Sequence, residues 1–331
     1  MSVPASPALS IIIVNWNSQH YLRACLQSIL QEATRLIYEV IVIDNASTLD
    51  DIDKLGIDFP FIRLIRSDQN LGFARANNVG FQNSTADYVL FLNPDTVIEG
   101  SALRAMLDVL KKRQDAGIVG SRLLNSDGTL QTSCVQRYPR ALNQALSTDF
   151  FYTHLPWMPL WGLAPLFQTT SDPVSVEVIS GACLMVRRDV FEKVGLFSED
   201  YFMYAEDVDL CHKVAQAGRR CYYLSSATVL HHGGGSSRQR QANNWAAVAQ
   251  CGAKLQFMRK TRGTTYGNVY RLSMGATAAM RWLLLAGAAV ARNNKERRAS
   301  LSKSMEKWSA ILRWSIRPDS TLERLTATQG H

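Results

Sequence analysis

The chain has 331 residues, 47% of them hydrophobic and 19% charged, a balance that excludes global disorder and describes a globular protein. Its formal charge of +8 is uneven: residues 1–237 hold 19 Lys+Arg against 24 Asp+Glu, whereas residues 238–331 hold 17 against 4. The acidic first part, with no RNA- or DNA-binding motif, speaks against a nucleic-acid binder, and the basic end suits an anionic membrane or an acidic partner.

The first third alternates strand and helix. Leu9–Asn15, Tyr38–Asp44, Phe61–Ser67 and Tyr88–Leu92 read as strands, and Gln19–Gln31, Gly72–Asn83 and Ser101–Arg113 as helices. "AGIVGSR" adds a further strand. Continuous apolar strands separated by helices imply a parallel sheet covered on both faces. A long Pro- and aromatic-rich stretch, Tyr138–Pro173, exceeds an ordinary loop and reads as an active-site flap or binding insertion. Regular structure returns in "VSVEVISGACLMVRR", a helix at Asp207–Ala217 and "RRCYYLSSATVLHH", and from about Gln241 the chain reads as helical. The expected division is a catalytic domain over 1–240, with a nucleotide-binding half at 9–122 and an acceptor half at 123–240, followed by a basic helical extension over 241–331.

Within that extension, Met274–Ala291 is a marginal membrane span with Arg281 in its middle. It reads as an interfacial amphipathic helix, or as a helix packed on the catalytic domain. The six cysteines (Cys25, Cys134, Cys183, Cys211, Cys221, Cys251) form no C-x-x-C pair and read as reduced thiols. "MSVPASPALS" lacks a positive n-region and "IIIV" is too short for a signal core, so a cytoplasmic catalytic part is expected.

Four polar points fall at strand ends or helix starts: Asn15-Trp16-Asn17, Asp44-Asn45, Asn70-Leu71-Gly72 and Asn93-Pro94-Asp95. Each alone fits an ordinary turn or helix cap. Together on one sheet edge they describe a nucleotide crevice without a dinucleotide fingerprint or P-loop. In "FSEDYFMYAEDVDLCHKVAQAG", two acid pairs flank an aromatic cluster and the second pair, Glu206-Asp207, opens a helix. That is either a helix with acidic N-terminal residues or a carboxylate set against an apolar pocket wall of Tyr201, Phe202, Met203 and Tyr204, as a tuned general base needs. In "VLHHGGGSS", His231 and His232 end a strand before glycines. A strand-end His is usually structural; beside Asp95 it could complete a Mn²⁺ or Mg²⁺ site with diphosphate oxygens.

The segments "SIIIVNWNSQHYLRACLQSI", "VIVIDNAS", "NLGFARANNVG", "YVLFLNPDT", "ISGACLMVRRDVFEKVGLFSEDYFMYAEDVDLCHKVAQAG" and "ATVLHHGGGSS" occur in this order over roughly Ser10 to Ser237. In this the chain resembles the inverting family 2 glycosyltransferases of GT-A fold, in particular rhamnosyltransferase-type members that build bacterial cell-surface glycans. The resemblance implies a Rossmann-like, mostly parallel sheet. It implies a nucleotide-diphosphate sugar donor: Asp44 would accept the ring N–H of a pyrimidine, as in UDP or dTDP, and Asn15 and Arg75 would line the base and diphosphate pocket. Asn45, Gly72, Asn93, Asp95 and Gly181 would complete the donor site. Asp95 matches the last position of the family's D-x-D metal motif, but Asn93 replaces its first acid, so a divalent metal should bind more weakly or lean on His231, with His232 the alternative. Asp207 would be the general base, and Glu206 would orient it or the sugar. The implied reaction is inverting transfer, L-rhamnose from dTDP-rhamnose being the best match, onto a lipid-linked or growing glycan at the cytoplasmic face of the membrane. A UDP-hexose or UDP-N-acetylhexosamine transferase, and a non-catalytic sugar-nucleotide-binding scaffold, are the alternatives. The absence of Q-x-x-R-W and of a set of membrane spans disfavours a processive synthase.

Overall fold

A computed structural model of the chain describes residues 6–32, 37–147, 172–233, 244–290 and 295–317, with short pieces between 154 and 167. Two compact units emerge. One comprises residues 1–138, 163–202 and 206–236; the other comprises 139–162, 203–205 and 237–331.

The first unit is built on strands β1 (Leu9–Asn15), β2 (Tyr38–Asn45), β3 (Ile62–Ser67), β4 (Tyr88–Leu92), β5 (Thr96–Ile98), β6 (Ala116–Leu124), β7 (Val135–Gln136), β8 (Val174–Val176), β9 (Val178–Ile179), β10 (Cys183–Arg187) and β11 (Arg220–His231). The main sheet runs β3-β2-β1-β4-β10-β6-β11-β5, with β8 also on β11, and β7 and β9 form a separate pair. Strands β3, β2, β1 and β4 pair in parallel, so the chain order reverses between β1 and β4, where open α/β sheets leave a crevice outside the strand ends.

Helices α1 (Gln19–Glu32), α2 (Ile52–Asp58), α3 (Gly72–Gln82) and α4 (Ala102–Lys112) connect these strands. Ile41, Ile43 and Ala76 form a buried cluster of β2 and α3, with Leu71 and Val79 against it. Val40 and Val42 alternate to the opposite face and are equally buried. Both faces of the sheet are therefore covered, as the unbroken apolar runs predict.

The sheet departs from an all-parallel one, and two such places, at β10 and at β5, matter for the site. "VSVEVISGACLMVRR" breaks into β8, β9 and β10, which go to three different partners. Strand β10 inserts antiparallel between β4 and β6, with Cys183 opposite Leu92. The turn Ser180-Gly181-Ala182 between β9 and β10 sets the start of β10 beside the end of β4, where Asn93 N–H donates to the Ala182 carbonyl. Helices α6 (Arg188–Lys193) and α7 (Glu206–Gln216) complete this unit.

The second unit holds α5 (Ala141–Leu146), α8 (Trp245–Arg262), α9 (Thr264–Val290) and α10 (Lys295–Ile316). The Arg281 guanidinium on α9 donates to the carbonyls of Ala145, at 3.3 Å, and Ser147, at 2.7 Å, and lies over the Trp308 ring of α10. Arg271 donates to the carbonyls of Trp314 and Ser315, groups the end of α10 leaves without helical partners. Residues 139–162 thus group with the C-terminal helices, whereas a boundary near 240 was expected. Of the expected flap, Tyr138–Pro173, nearly half lies outside the described residues, and its described helix α5 belongs to the second unit.

Candidate active site

The crevice at the β1–β4 switch point is lined from the residues that follow β1, β2 and β4. Asn15 closes β1 and is fully enclosed. Its amide donates to Asp44 Oδ1 at 3.3 Å, Ser47 Oγ at 3.1 Å and Asp50 Oδ2 at 2.9 Å, and its carbonyl oxygen accepts from Ser18. Asp50 also accepts from the backbone N–H groups of Ser18 and Gln19 at the start of α1. Asn15 therefore holds Asp44 and Asp50 in place, and does so from beneath the surface. Asp44 is 6% exposed and has Asn15 as its hydrogen-bond partner among the described residues.

Asn45 is likewise internal. Its Oδ1 accepts from Leu71 N–H and its Nδ2 donates to Asn70 Oδ1 and the Gly72 carbonyl. These bonds shape the entry to α3. Gly72 there has φ +75°, and a Cβ would stand 2.5 Å from the Phe202 carbonyl oxygen. The requirement for glycine is thus a close approach of backbone together with left-handed geometry. Arg75 is exposed on α3, 4.0 Å from Glu199.

Past β4, Asn93 N–H donates to the Ala182 carbonyl at 2.9 Å. Pro94 stops the ladder, and Asp95, 6% exposed, follows. The short strand β5 then pairs with the end of β11, Thr96 opposite His231, which brings His231 Nε2 to 3.3 Å from Asp95 Oδ1. Asn93 Nδ2 lies 3.3 Å from the same nitrogen. On the other side of the ring, His231 Nδ1 meets Gln131 Oε1 at 2.6 Å, and the Gln131 amide nitrogen donates to Asn125 Oδ1. With Gln131 so oriented, the proton belongs on Nδ1 and the Nε2 lone pair faces the Asp95 carboxylate. The two lone pairs, with the Asn93 amide beside them, would accept a metal cation between them.

Their spacing suits adjacent ligands of an octahedral ion with bonds of about 2.1 Å. Among the described residues no group of three or more His, Cys, Asp or Glu side chains comes together, so such an ion would take its remaining oxygens from the donor. His232 faces elsewhere: its Nδ1 meets Ser126 Oγ at 2.8 Å and its ring lies beside Tyr21.

The acid pair opens α7. Asp207 Oδ2 accepts from Gly181 N–H at 2.9 Å and Oδ1 from Val208 N–H at 2.8 Å, so two backbone amides fix the carboxylate at the positive end of the helix. Gly181 is one residue from Ala182, whose carbonyl holds Asn93. Asp95 and Asp207, 112 positions apart in sequence, are in this way both tied to the junction of β4 and β10. Glu206 is 7% exposed, and its Oε2 is buried with no hydrogen-bond partner among the described residues. Burial first, and the neighbouring Asp207 charge second, push its carboxyl up to about 8, so it holds a proton at neutral pH.

The expected apolar wall is realised only in part. Tyr201 is core, 2% exposed, with its hydroxyl 3.4 Å from Asp209. Phe202 presents its carbonyl to Phe73 N–H and to Gly72. Just ahead of the acid pair, Tyr204 and Ala205 adopt φ +71° and +64°, a pair of non-glycine residues in the left-handed region, as strained functional turns show. Sequence reasoning missed Gln131 and Asp50, which orient His231 and Asn15. Only the contacts reveal them, since neither belongs to a motif.

The Glycosyl transferase family 2 model matches residues 10–195. The chain is 31% identical over 253 residues to the N-acetylglucosaminyl-diphospho-decaprenol L-rhamnosyltransferase of Mycobacterium tuberculosis, covering 72% of this chain and 80% of the relative. It is 25% identical over 235 residues to rhamnosyltransferase WbbL of Escherichia coli K12, covering 69% and 84%. Among solved structures, the mannosyltransferase PcManGT of Pyrobaculum calidifontis, in complex with GDP-Man and Mn²⁺, superposes with a TM-score of 0.53 at 16% identity, over 99% of this chain and 88% of its own. GalNAc-T7 with UDP, GalNAc and Mn²⁺ gives 0.54 at 15% identity, over 68% of this chain and 43% of its own. At these identities the two structures speak to the fold, a GT-A arrangement of a mostly parallel sheet.

Proposed function

The chain belongs to glycosyl transferase family 2, and from that footing we propose that it is an inverting rhamnosyltransferase with Asp207 as its base. The glycosyltransferase activity follows from the family; the donor, the stereochemistry and the residue roles are our reading. One observation carries the roles: Asp207 is held by Gly181, beside the peptide that holds Asn93 and thus the turn bearing Asp95. A base and a diphosphate-steadying group are needed on the two sides of one anomeric carbon, and the tie of Asp207 and of the Asp95 turn to one junction supports that reading.

In this reading Asp207 removes the proton of the acceptor hydroxyl. The oxygen attacks the anomeric carbon as the bond to the diphosphate breaks on the opposite face, so the configuration inverts without a covalent intermediate. Glu206, neutral beside it, leaves Asp207 as the charged member of the pair and offers a hydrogen-bond donor to the sugar or to Asp207. Asp44 receives the pyrimidine ring N–H of dTDP or UDP, and Arg75, exposed at the start of α3, reaches the diphosphate. Asp95 and His231 would hold Mn²⁺ or Mg²⁺, whose chemistry is to draw charge from the departing phosphates.

The acceptor class follows from the mycobacterial relative, named for transfer to N-acetylglucosaminyl-diphospho-decaprenol. We take it to be a diphospho-polyprenol-linked sugar at the cytoplasmic membrane face. The test is product analysis with dTDP-rhamnose, UDP-glucose, UDP-galactose and UDP-N-acetylglucosamine, each offered with N-acetylglucosaminyl-diphospho-polyprenol. Rhamnose transfer, with the anomeric configuration opposite to the donor's, is expected. Transfer from a UDP-sugar alone would replace the donor, and retained configuration would overturn the mechanism.

A further inference from the structure

The long helix α9 has two unlike faces. Tyr270, Met274 and Ala278 are buried against the other helices of its unit, and a Cβ on Gly275 would stand 2.6 Å from Ser315 Oγ of α10. On the other side Val269, Leu272, Met280, Leu283 and Leu284 are each at least half exposed. With Ala276, also exposed, they recur at spacings of three and four residues, a continuous apolar stripe along one helix face.

The charge on α8 and α9 themselves has one sign. Residues 244–290 carry six Lys+Arg and no Asp or Glu. At one end of the stripe, Arg259 donates to Asn268 and Arg262 lies over Tyr266, while Lys260 is exposed. We propose that this face of α9 is a docking surface for an anionic lipid bilayer, with the helix lying in the interface plane and its apolar side chains among the acyl chains. The proposal deepens the membrane-surface reading above and rests on it for its purpose, but its test uses vesicles without substrate, so either can fail alone.

The observations favour this occupant over two others. A second copy of the chain would bring two cationic rims together with no carboxylate on α8 or α9 to relieve the repulsion. A lone transmembrane passage would strip the buried face from α10 and free Arg281, whose guanidinium is fixed on backbone carbonyls and Trp308. Helix α9 is long and apolar enough to cross a membrane by composition, an 18-residue window within Thr264–Ala289 having a mean hydropathy of 1.2. Its packing lays it along a surface.

The full chain should float with phosphatidylcholine vesicles containing phosphatidylglycerol, weakly with phosphatidylcholine alone, and should be released by alkaline carbonate. Leu272→Glu with Leu283→Glu should lower the partition coefficient by about tenfold or more. Ile57→Glu, which changes an equally exposed apolar residue of α2 in the other unit, should not. Thermal melting of each variant shows that the fold is retained. Equal flotation of wild type and the α9 variant, or none by wild type, would overturn the proposal. So would a concentration-dependent dimer abolished by the α9 substitutions, which would assign the face to a second copy. Resistance to carbonate would assign α9 to a membrane span.

Discussion

Glu206→Gln separates a buried neutral acid from an ionised one. In the folded chain Glu206 releases its proton near 8, against the ordinary 4.5. Between those values the unfolded chain gives up a proton that the folded chain keeps, so folding stability falls as pH rises through this window and levels off above it. At about 1.4 kcal/mol per pKa unit, the full span is worth up to roughly 5 kcal/mol, of which roughly 2 is lost by pH 6. Gln has the same shape and no proton to release. The variant should match wild type near pH 4.5, after any constant offset, and gain on it steadily up to about pH 8. The assay is urea unfolding of both proteins across this range, read as the difference in unfolding free energy. A difference that does not change with pH would mean that Glu206 ionises in the fold as it does in water, and the case for a neutral partner beside Asp207 would collapse.

Three further outcomes follow from the geometry. Asp207→Asn keeps the acceptor oxygen that Gly181 N–H needs but loses the base. Turnover should drop by about 10²–10⁴ with donor affinity unchanged in a thermal-shift titration, and intact turnover would refute the assignment. His231→Ala should raise the Mn²⁺ concentration for half-maximal activity by about tenfold or more, whereas His232→Ala, which loses only Ser126 and Tyr21 contacts, should not; the opposite ranking would transfer the ligand role to His232. Gly72→Ala meets both φ +75° and the Phe202 carbonyl, and should cost about 2 kcal/mol or more in denaturant unfolding; an unchanged midpoint would show that the α3 entry is pliant.

The part of the sheet from β1 to β4 was legible because its information is local. Strands Leu9–Asn15 and Tyr88–Leu92 have the ends their apolar runs give them, and the acid pair opens a helix as its position before an amphipathic segment requires. What escaped is non-local. Strand β5 is three residues long, too short for a periodic signal, and exists because the end of β11 supplies its partner. That pairing seats His231 on Asp95. The reversal of β10 is invisible for the same reason, since an apolar strand reads alike in either direction. Asn15 and Asn45 carry motif positions but face inward, because a strand-end amide satisfies buried loop groups as readily as it meets a ligand.

Strand β10 lies between β4 and β6, bonded to both. The turn that steadies Asp207 and the turn that bears Asp95 therefore extend from neighbouring strands of a single woven core. A hinge that swung one toward the other would have to tear that ladder. If Asp95 and Asp207 flank the reacting groups as proposed, their spacing is preset, and whatever opens and shuts during turnover has to come from segments outside the sheet.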